Sequence, residues 1–299
     1  MCDYRGKGPD TMNWTSDLMQ VIVNGLLMGM VYSLIATGLT LIWGVMDLAN
    51  FAHGEFLMLG MYFAYWMSTI FQMDPFTSLP LAAILFFVAG QGVYRIAVKP
   101  VMKSSDLSRI LVTFGLGIII SNVALFLWTP NFRSVSDTVL KGTVTLGGLR
   151  LPVAKIAASC ASLMASLGLY LFLLKTRIGR ALQAVSMDPE AAVLVGIDSE
   201  KMFAIAFGLG IGCAGVAGCV LANFSYVSPT VGSVFSLLAF ASVALGGFGS
   251  VPGALLGALI IGLAEALGGF LIGPAYKYVV VFGIYLLVII ARPKGLMGW

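Results

Sequence analysis

The stretch NFAHGEFLMLGMYFAYWM, which runs from Asn50 to Met67, places an asparagine, the chain's single histidine and a glutamate at the head of an otherwise apolar segment. A helix needs about 20 apolar residues to cross a bilayer, and this segment has nearly that length. A charge at the centre of a membrane helix costs about 2.5–3.5 kcal/mol on insertion scales. Ionisable residues in such helices therefore usually face the interior of the bundle or a water-filled cavity. The stretch predicts a membrane protein that keeps a few polar groups inside its bundle.

The composition of the whole chain supports this prediction. Hydrophobic residues make up 59% and charged residues 10% of the 299 residues, whereas a soluble domain carries about 25% charged residues. So few charges cannot cover a water-soluble surface. We expect membrane lipid, and no nucleic acid, among the partners of the chain.

Apolar blocks long enough to cross a bilayer recur along the chain. They predict spans at 18–43, 51–71, 79–98, 107–128, 152–174, 202–223, 250–271 and 275–291, with a short apolar piece at 236–247. The predicted fold is all-α: a polytopic transmembrane helical bundle of about eight spans plus a short re-entrant or half-helix segment. We divide the chain into a polar N-terminal extension, 1–17, and a single transmembrane domain, 18–299.

Basic residues indicate which loops lie in the cytoplasm. One cluster surrounds the turn after the third span and another lies in the loop at 175–201. Two spans separate the clusters, so they share a side, which the positive-inside rule makes cytoplasmic. Their members are Arg95, Lys99, Lys103 and Arg109, and Lys175, Arg177, Arg180 and Lys201. Arg292 and Lys294 join them only if 236–247 crosses the membrane.

The cytoplasmic loop at 175–201 contains a short helix with signals at both ends. In MDPEAAVLVGID, Asp188 stands where an N-cap belongs, Pro189 takes the first helical position and Gly196 is placed for a left-handed stop. We predict a helix over 189–195. A helix this short is marginal in water, so it packs either on its own membrane domain or into a partner protein.

Two acidic residues fall within the predicted spans, Glu55 and Glu265. Each is a candidate for the lining of a transport path, and the 50–55 stretch is alternatively a contact with another subunit. Two other interpretations stay open. Asn50 can cap the helix that follows, with His53 and Glu55 in its first turns, where a negative charge is favourable without any transport role. Glu265 can reach the membrane interface or serve a structural role.

The glycine-rich run GGFGSVPG at 246–253 has two interpretations. It is either a break between a half-helix and the following span, as at many transporter binding sites, or a tight turn at the membrane surface. A dinucleotide fingerprint is excluded because Pro252 stands where glycine is required. Gly247 and Gly249 join Asn50, His53, Glu55 and Glu265 as translocation-pathway candidates.

The cysteines and the histidine predict no metal site, no disulfide and no cofactor on this chain. The four cysteines have no C-x-x-C spacing, and one histidine cannot complete a zinc set. The chain also lacks G-x-x-x-x-G-K-[ST], so it does not bind nucleotide in the P-loop manner. Any energy from nucleotide hydrolysis that its function requires must therefore come from another protein.

Four motifs together resemble one family. EAAVLVG at 190–196 is similar to the E-A-A-x-x-x-G coupling loop of bacterial ABC-importer permeases, although the I-x-L-P that often follows it is missing. With NFAHGE at 50–55, LGGFGSVPGALLGALIIGLAEAL at 245–267 and RPKGLMG at 292–298, the chain resembles the permeases of branched-chain amino acid importers.

This resemblance implies a non-catalytic permease subunit of the bacterial inner membrane. Its implied partners are a second paralogous permease, two cytoplasmic P-loop ATPases that carry ATP and Mg, and a periplasmic amino-acid-binding protein. The implied cargo is leucine, isoleucine and valine, with urea or short-chain amides as the alternative within the family. The implied ATPase-coupling residues are Asp188, Pro189, Glu190, Ala191, Ala192 and Gly196, flanked by Arg177 and Arg180.

Two other classes are weaker. A secondary transporter driven by an ion gradient needs acidic or histidine relays across several spans, and often inverted repeats. The chain has two isolated carboxylates and no convincing repeat. An intramembrane enzyme needs a nucleophile with its base, a carboxylate pair or a metal, and His53 has no obvious partner beyond Glu55.

Overall fold

The computed structural model describes residues 14–135, 140–146 and 148–297. Within these residues, α-helices follow one another with a single β-hairpin among them. They are α1 (Trp14–Met46), α2 (His53–Phe71), α3 (Leu79–Val93), α4 (Asp106–Trp128), β1 (Thr143–Leu146), β2 (Leu149–Pro152), α5 (Val153–Lys175), α6 (Arg177–Met187), α7 (Pro189–Leu194), α8 (Ser199–Leu221), α9 (Val231–Gly246), α10 (Val251–Leu271) and α11 (Lys277–Ala291). The all-α polytopic fold is confirmed.

Seven helices in the described part of the chain are long and apolar enough to cross a membrane. They are α1, α4, α5, α8 and α10, together with α3 extended to Val101 and α11 extended back to Pro274. The sequence predicted eight spans. The eighth, α2, forms in the predicted place with 19 residues but is not among these seven. The predicted short piece at 236–247 is α9, a 16-residue helix that begins earlier, at Val231.

The predicted extension at 1–17 overlaps the first helix, because α1 already begins at Trp14. Residues 1–13 of that extension lie outside the described residues. α1 has 33 residues, which gives it a length of about 50 Å. It is therefore longer than a bilayer requires, and α5, α8, α9 and α10 pack along parts of it.

Two helices form the centre of the bundle. α1 and α8 are buried along most of their length, whereas few residues of α4 and α11 are buried. The exposed side chains of the outer helices are apolar, such as Ile96, Phe126 and Ile290. A lipid-facing surface has this character, since lipid chains rather than water are the solvent there.

Glycines allow the central helices to approach closely. A Cβ atom added at Gly29 of α1 would lie 2.8 Å from the Leu259 Cα of α10, and one at Gly90 of α3 would lie 2.9 Å from the Gly208 Cα of α8. Gly60 of α2 and Gly215 of α8 meet backbone to backbone in the same way. The small residues of the predicted spans thus serve packing within this chain.

Ion pairs and hydrogen bonds show which ends of the helices share a face. Lys99 Nζ lies 2.6 Å from Glu200 Oε2, which joins the end of α3 to the start of α8. Arg109 donates to the Asp47 carbonyl oxygen over 3.3 Å, which brings in the end of α1 and the start of α4. The two basic clusters therefore share a face, as predicted. We refer to it as the loop face, because it carries residues 176–198.

The C-terminal segment also lies on the loop face. The Leu296 and Met297 amides donate to the carbonyl oxygens of Leu245 and Gly246 at the end of α9, each over 2.9 Å. Met297 lines a cavity together with Gln183 of α6. The end of α9 and the C-terminal segment therefore both lie on the loop face. Arg292 and Lys294 are thus on the same side as the other basic clusters.

The opposite face is closed by two short connections. Arg133, after α4, and Val227, after α8, exchange backbone hydrogen bonds of 2.9 and 2.8 Å. The β1–β2 hairpin is joined to the start of α1, where the Arg150 amide donates to Gln20 Oε1 over 2.8 Å. These contacts fix the ends of α1, α4 and α8 that point away from the loop face.

Candidate translocation and coupling sites

The predicted polar cluster at 50–55 begins well inside the bundle. α1 ends at Met46, and the chain reverses at Asp47, which has a positive φ of 49°. His53 Nε2 then lies 3.1 Å from the Ile35 carbonyl oxygen of α1. Ile35 is about three turns, or 16 Å, before the end of α1. The chain thus folds back from the loop face, and α2 starts at this depth with His53 completely buried.

Asn50 does not cap α2, contrary to one of the two interpretations of the sequence. The N-cap residue is Ala52, and no side chain bonds to the first turn. Asn50 Oδ1 instead accepts from the Ala52 amide over 3.2 Å, which stabilises the preceding turn. Asn50 is completely buried, and its Nδ2 has no hydrogen-bond partner in the described part of the chain. The turn is tied to α4 by Thr113, whose hydroxyl donates to the Ala49 carbonyl oxygen over 2.9 Å.

Glu55 lies where the start of α2 meets the start of α9. A Cβ atom at Gly232 would have Glu55 Oε2 as its nearest neighbour, and one at Gly54 would lie 2.8 Å from Ser236 Cβ. Ser236 also donates to the Phe51 carbonyl oxygen over 3.2 Å. The carboxylate of Glu55 is therefore near two helix N-termini, which favour negative charge.

The Glu55 carboxylate has no cationic partner among the described residues. The residue is 8% exposed, and its Oε2 atom is buried without a hydrogen bond. A buried charged oxygen in that state is costly unless a partner arrives, because burial removes its water. Within the described residues, Glu55 is thus a buried acidic group whose Oε2 atom has no partner.

A cavity of about 350 Å³ opens beside Glu55, between α2, α4 and α9. Its apolar wall is formed by three phenylalanines, and Phe51 stacks on Phe240 with ring centroids 4.8 Å apart. Serine and asparagine side chains supply its polar wall. The lining residues include Phe51, Phe114, Phe240, Ser121, Asn122 and Ser233. The cavity combines an apolar surface with one carboxylate.

Glu265 has partners on two sides. Tyr32 Oη donates to Glu265 Oε2 over 2.5 Å, and Lys277 Nζ lies 2.6 Å from Glu265 Oε1. Lys155 and Asn24 line the same small cavity and bond to each other over 3.1 Å. The Glu265 carboxylate therefore connects α1, α10 and α11.

Gly247 and Gly249 form a tight turn on the loop face, not a break inside the bundle. Their φ angles are 108° and 79°, which favour glycine. The Gly249 amide donates to Thr40 Oγ1 over 3.1 Å, and Gly295 of the C-terminal segment lies directly on Gly247. The turn at 247–250 is therefore placed near the end of α1, away from Glu55. α10 then starts with Ser250 as its N-cap.

The predicted coupling helix is present with both of its caps. α7 spans Pro189–Leu194, and Asp188 Oδ1 accepts from the Glu190 and Ala191 amides, each over 2.9 Å. At the other end Gly196 has a φ of 85°. Its amide donates to the Val193 carbonyl oxygen, and the Ile197 amide donates to that of Ala192, both over 3.0 Å. This is the Schellman arrangement that a left-handed glycine completes.

α7 packs on its own domain and also presents an apolar outer surface. Ala192 is buried, and Ser199 of α8 donates to the Pro189 carbonyl oxygen over 2.8 Å. Met187, Leu194 and Val195 are 88%, 87% and 76% exposed. The exposed flanks of this surface include Arg177, Arg180 and Glu190. Apolar side chains outside the membrane are costly in water, so this surface favours a protein partner.

Sequence analysis did not identify several of these groups. Gly232 and Ser236 of α9 contact the Asn50–Glu55 region, and Lys277 pairs with Glu265, but no local spacing indicates either contact. A helix start near Val231 had one available signal, the Ser228–Pro229–Thr230 run before an apolar block.

Comparisons with known proteins identify the family of the chain. Residues 21–290 match the family described as "Branched-chain amino acid transport system / permease component". The chain is 34% identical over 294 residues to the high-affinity branched-chain amino acid transport system permease protein BraD of Pseudomonas aeruginosa, covering 94% of this chain and 95% of BraD.

Other relatives are similar over almost the same length. The permease protein LivH of Escherichia coli (strain K12) is 33% identical over 295 residues, which covers 94% of this chain and 95% of LivH. A probable LivH of Methanocaldococcus jannaschii is 29% identical over 277 residues, covering 89% and 88% of the two chains. No solved structure matches. The protein therefore belongs to the family of branched-chain amino acid transport permeases and is a multi-pass membrane permease.

Proposed function

We propose that this chain is the permease subunit of an ATP-driven importer that moves leucine, isoleucine and valine across the bacterial inner membrane. The proposal rests on the family match, since BraD and LivH are branched-chain amino acid transport permeases. The single structural observation that carries it is the capped helix α7, which presents exposed Leu194 and Val195 outside the membrane.

We infer that α7 docks into a partner ATPase. The proposed coupling residues are Asp188, Pro189, Glu190, Ala191, Ala192 and Gly196, with Arg177 and Arg180 beside them. Caps at both ends make α7 a rigid unit, and the Ser199–Pro189 hydrogen bond ties it to the start of α8. A push on α7 is therefore transmitted to a central helix of the bundle. We propose that this motion drives alternating access, in which the transport path opens to one side of the membrane at a time.

The proposed partners supply what this chain lacks. Two cytoplasmic P-loop ATPases bind ATP with Mg and hydrolyse the ATP, a second paralogous permease completes the pore, and a periplasmic binding protein delivers the amino acid. This chain binds no cofactor in the proposal. Asn50, His53 and Glu55 are the proposed path residues, because they start a helix inside the bundle beside a cavity.

The Glu265–Lys277 pair is assigned to holding α10 against α11. Gly247 and Gly249 are assigned to the turn between α9 and α10, which supports the loop face.

Affinity purification from the native membrane tests the proposed assembly. The chain carries a C-terminal tag, is extracted gently, and its companions are identified by mass spectrometry. Recovery of a second permease and two P-loop ATPases supports the importer. Recovery of this chain alone, with uptake that follows a proton or sodium gradient, contradicts it. Uptake assays with leucine and with urea then separate the two substrate classes.

Gly196→Pro tests the coupling role of α7. Proline fixes φ near −65°, whereas Gly196 requires a φ of 85°, so the variant removes the helix stop. We expect a membrane-inserted protein in which ATP hydrolysis no longer drives uptake. The matched control is Gly148→Pro in the β1–β2 hairpin, where φ is 90° and the surroundings are equally open, but on the opposite face. Normal uptake by Gly196→Pro contradicts the assignment.

A further inference from the structure

We propose that Glu55 accepts the ammonium group of the amino acid cargo, and that the cavity between α2, α4 and α9 holds the apolar side chain of that cargo. This inference rests on the proposed function, because it concerns the cargo of the same path. It assigns a specificity-determining residue to the permease itself.

The state of the Glu55 carboxylate is the first argument. The residue is 8% exposed, its Oε2 atom has no hydrogen-bond partner, and it belongs to no ion pair of the described residues. Two helix N-termini stabilise its negative charge without satisfying its hydrogen-bonding capacity. A site of this kind is complete only when a donor enters, and an ammonium group supplies up to three N–H donors with the opposite charge.

The cavity is the second argument, because Glu55 is part of its wall. Its volume of about 350 Å³ falls within the range of small-molecule sites, about 300–1,000 Å³. The described lining residues contain no lysine, arginine or histidine that could compete for Glu55. His53 is only two residues away in sequence, but its Nε2 atom faces the Ile35 carbonyl oxygen of α1.

The aromatic wall is the third argument. Phe51, Phe114 and Phe240 surround the cavity, with the Phe51 and Phe114 rings edge to face at 6.4 Å. These rings favour the branched apolar side chain of the cargo, and ring faces also attract an ammonium group. A neutral amide such as urea gains neither the charge interaction with Glu55 nor the apolar contact.

The test uses the complete transporter in proteoliposomes with its loaded binding protein. Leucine uptake and ATP hydrolysis are measured for wild type, Glu55→Gln and Glu55→Asp. We expect Glu55→Gln to lower uptake about tenfold or more, the usual effect of losing one charge-assisted hydrogen bond. Glu55→Asp keeps the charge on a shorter side chain and is expected to give an intermediate rate. Hydrolysis in both variants stays within about twofold of wild type, because α7 is untouched.

The matched control is Glu265→Gln, the same substitution at the other intramembrane glutamate. We expect its uptake to equal that of wild type. Co-purification of all subunits with each variant shows that assembly is intact. Loss of the second permease from the Glu55→Gln complex overturns the inference, because the carboxylate then serves a subunit contact.

A second measurement needs no variant. A hydrophobic carbodiimide labels buried carboxyl groups, and mass spectrometry gives the labelling of each peptide. We expect leucine-loaded binding protein to slow labelling of Glu55 while labelling of Glu265 is unchanged. Equal labelling of Glu55 with and without cargo overturns the inference.

The outcomes separate this inference from the proposed function. If wild type imports leucine and Glu55→Gln imports it equally well, the inference fails and the proposed function stands. If wild type imports urea or short amides and no amino acid, both fail.

Discussion

The two glutamates inside the bundle differ in what surrounds them. Glu265 lies 2.6 Å from Lys277 Nζ and accepts a hydrogen bond from Tyr32. Glu55 borders a cavity and has a buried oxygen with no partner among the residues that the structure describes. The two residues look equivalent in the sequence, where each is a single acid in an apolar helix. Their structures favour two different roles.

The difference shows how to interpret a charge inside a membrane protein. A paired charge can be explained by the stability of the contact, since breaking a buried pair is costly. An unpaired charge lowers stability and is therefore a stronger indication of function. The paired Glu265 holds three helices together, and the unpaired Glu55 is left for a partner from outside the chain.

The largest expected effect comes from removing the cation of the Glu265 pair. Lys277→Met leaves a mostly buried carboxylate with only Tyr32 as partner, so we expect unfolding in detergent to become easier by about 2 kcal/mol. Lys277 is partly exposed, which keeps the loss below that of a fully buried pair. Thermal unfolding of the purified chain gives the value, with the exposed Lys103→Met as control. An unchanged melting temperature contradicts the structural role of the pair.

Neutralising Glu265 itself is expected to cost less. In Glu265→Gln the amide oxygen still accepts from Tyr32, and Lys277 can reach water, so the loss is about 1 kcal/mol. The same melting experiment measures it. Combining Glu265→Gln with Lys277→Met should restore part of the stability lost in Lys277→Met, since no unpaired charge remains. If the double variant lost as much stability as the two single variants together, Glu265 and Lys277 would not interact directly.

Neutralising Glu55 is expected to act in the opposite direction. No partner is lost in Glu55→Gln, and a charge is no longer buried, so stability should rise by about 0.5 kcal/mol. The melting temperature of Glu55→Gln, compared with that of Glu265→Gln, is the sharpest check of the difference between the two residues. A clear destabilisation by Glu55→Gln would mean that Glu55 has a structural role after all.

The smallest effect is expected at the exposed pair on the loop face. The side chains of Lys99 and Glu200 are 48% and 63% exposed, although their charged atoms lie 2.6 Å apart. Glu200→Gln should cost about 0.3 kcal/mol, because water and salt screen such a pair. Denaturation experiments at low and high salt should show that this loss of stability is smaller at high salt. If Glu200→Gln lost as much stability as Lys277→Met, burial would not explain the strength of the Glu265–Lys277 pair.

Much of the fold could be predicted because the bilayer imposes strong local rules. Each apolar block had to form a helix, so the helices were found close to their predicted bounds. α7 was predicted almost to the residue, since Asp188 and Gly196 act on the backbone next to them. α2 was harder, because it starts after a reversal of the chain inside the bundle and Asn50 does not cap it.

The sites were only partly predictable, for a reason of distance along the chain. Glu55 and Glu265 were recognised as unusual, but their partners are far away in sequence: Gly232 for the first, and Tyr32 and Lys277 for the second. The glycines at 247 and 249 allowed two interpretations, and the hydrogen bond to Thr40 on the distant α1 decided between them.

The sequence by itself determined that the chain lies in a membrane, where its helices fall, which loops share a face and where the short capped helix forms. Hydrophobic length, charge placement and helix caps decide these features, and all of them act locally or through the surrounding solvent. Only the tertiary structure decided which buried carboxylate is paired, where α9 meets α2 and which side holds the C-terminal segment. Those features depend on contacts between residues far apart in the chain, and such contacts exist only once the helices have packed.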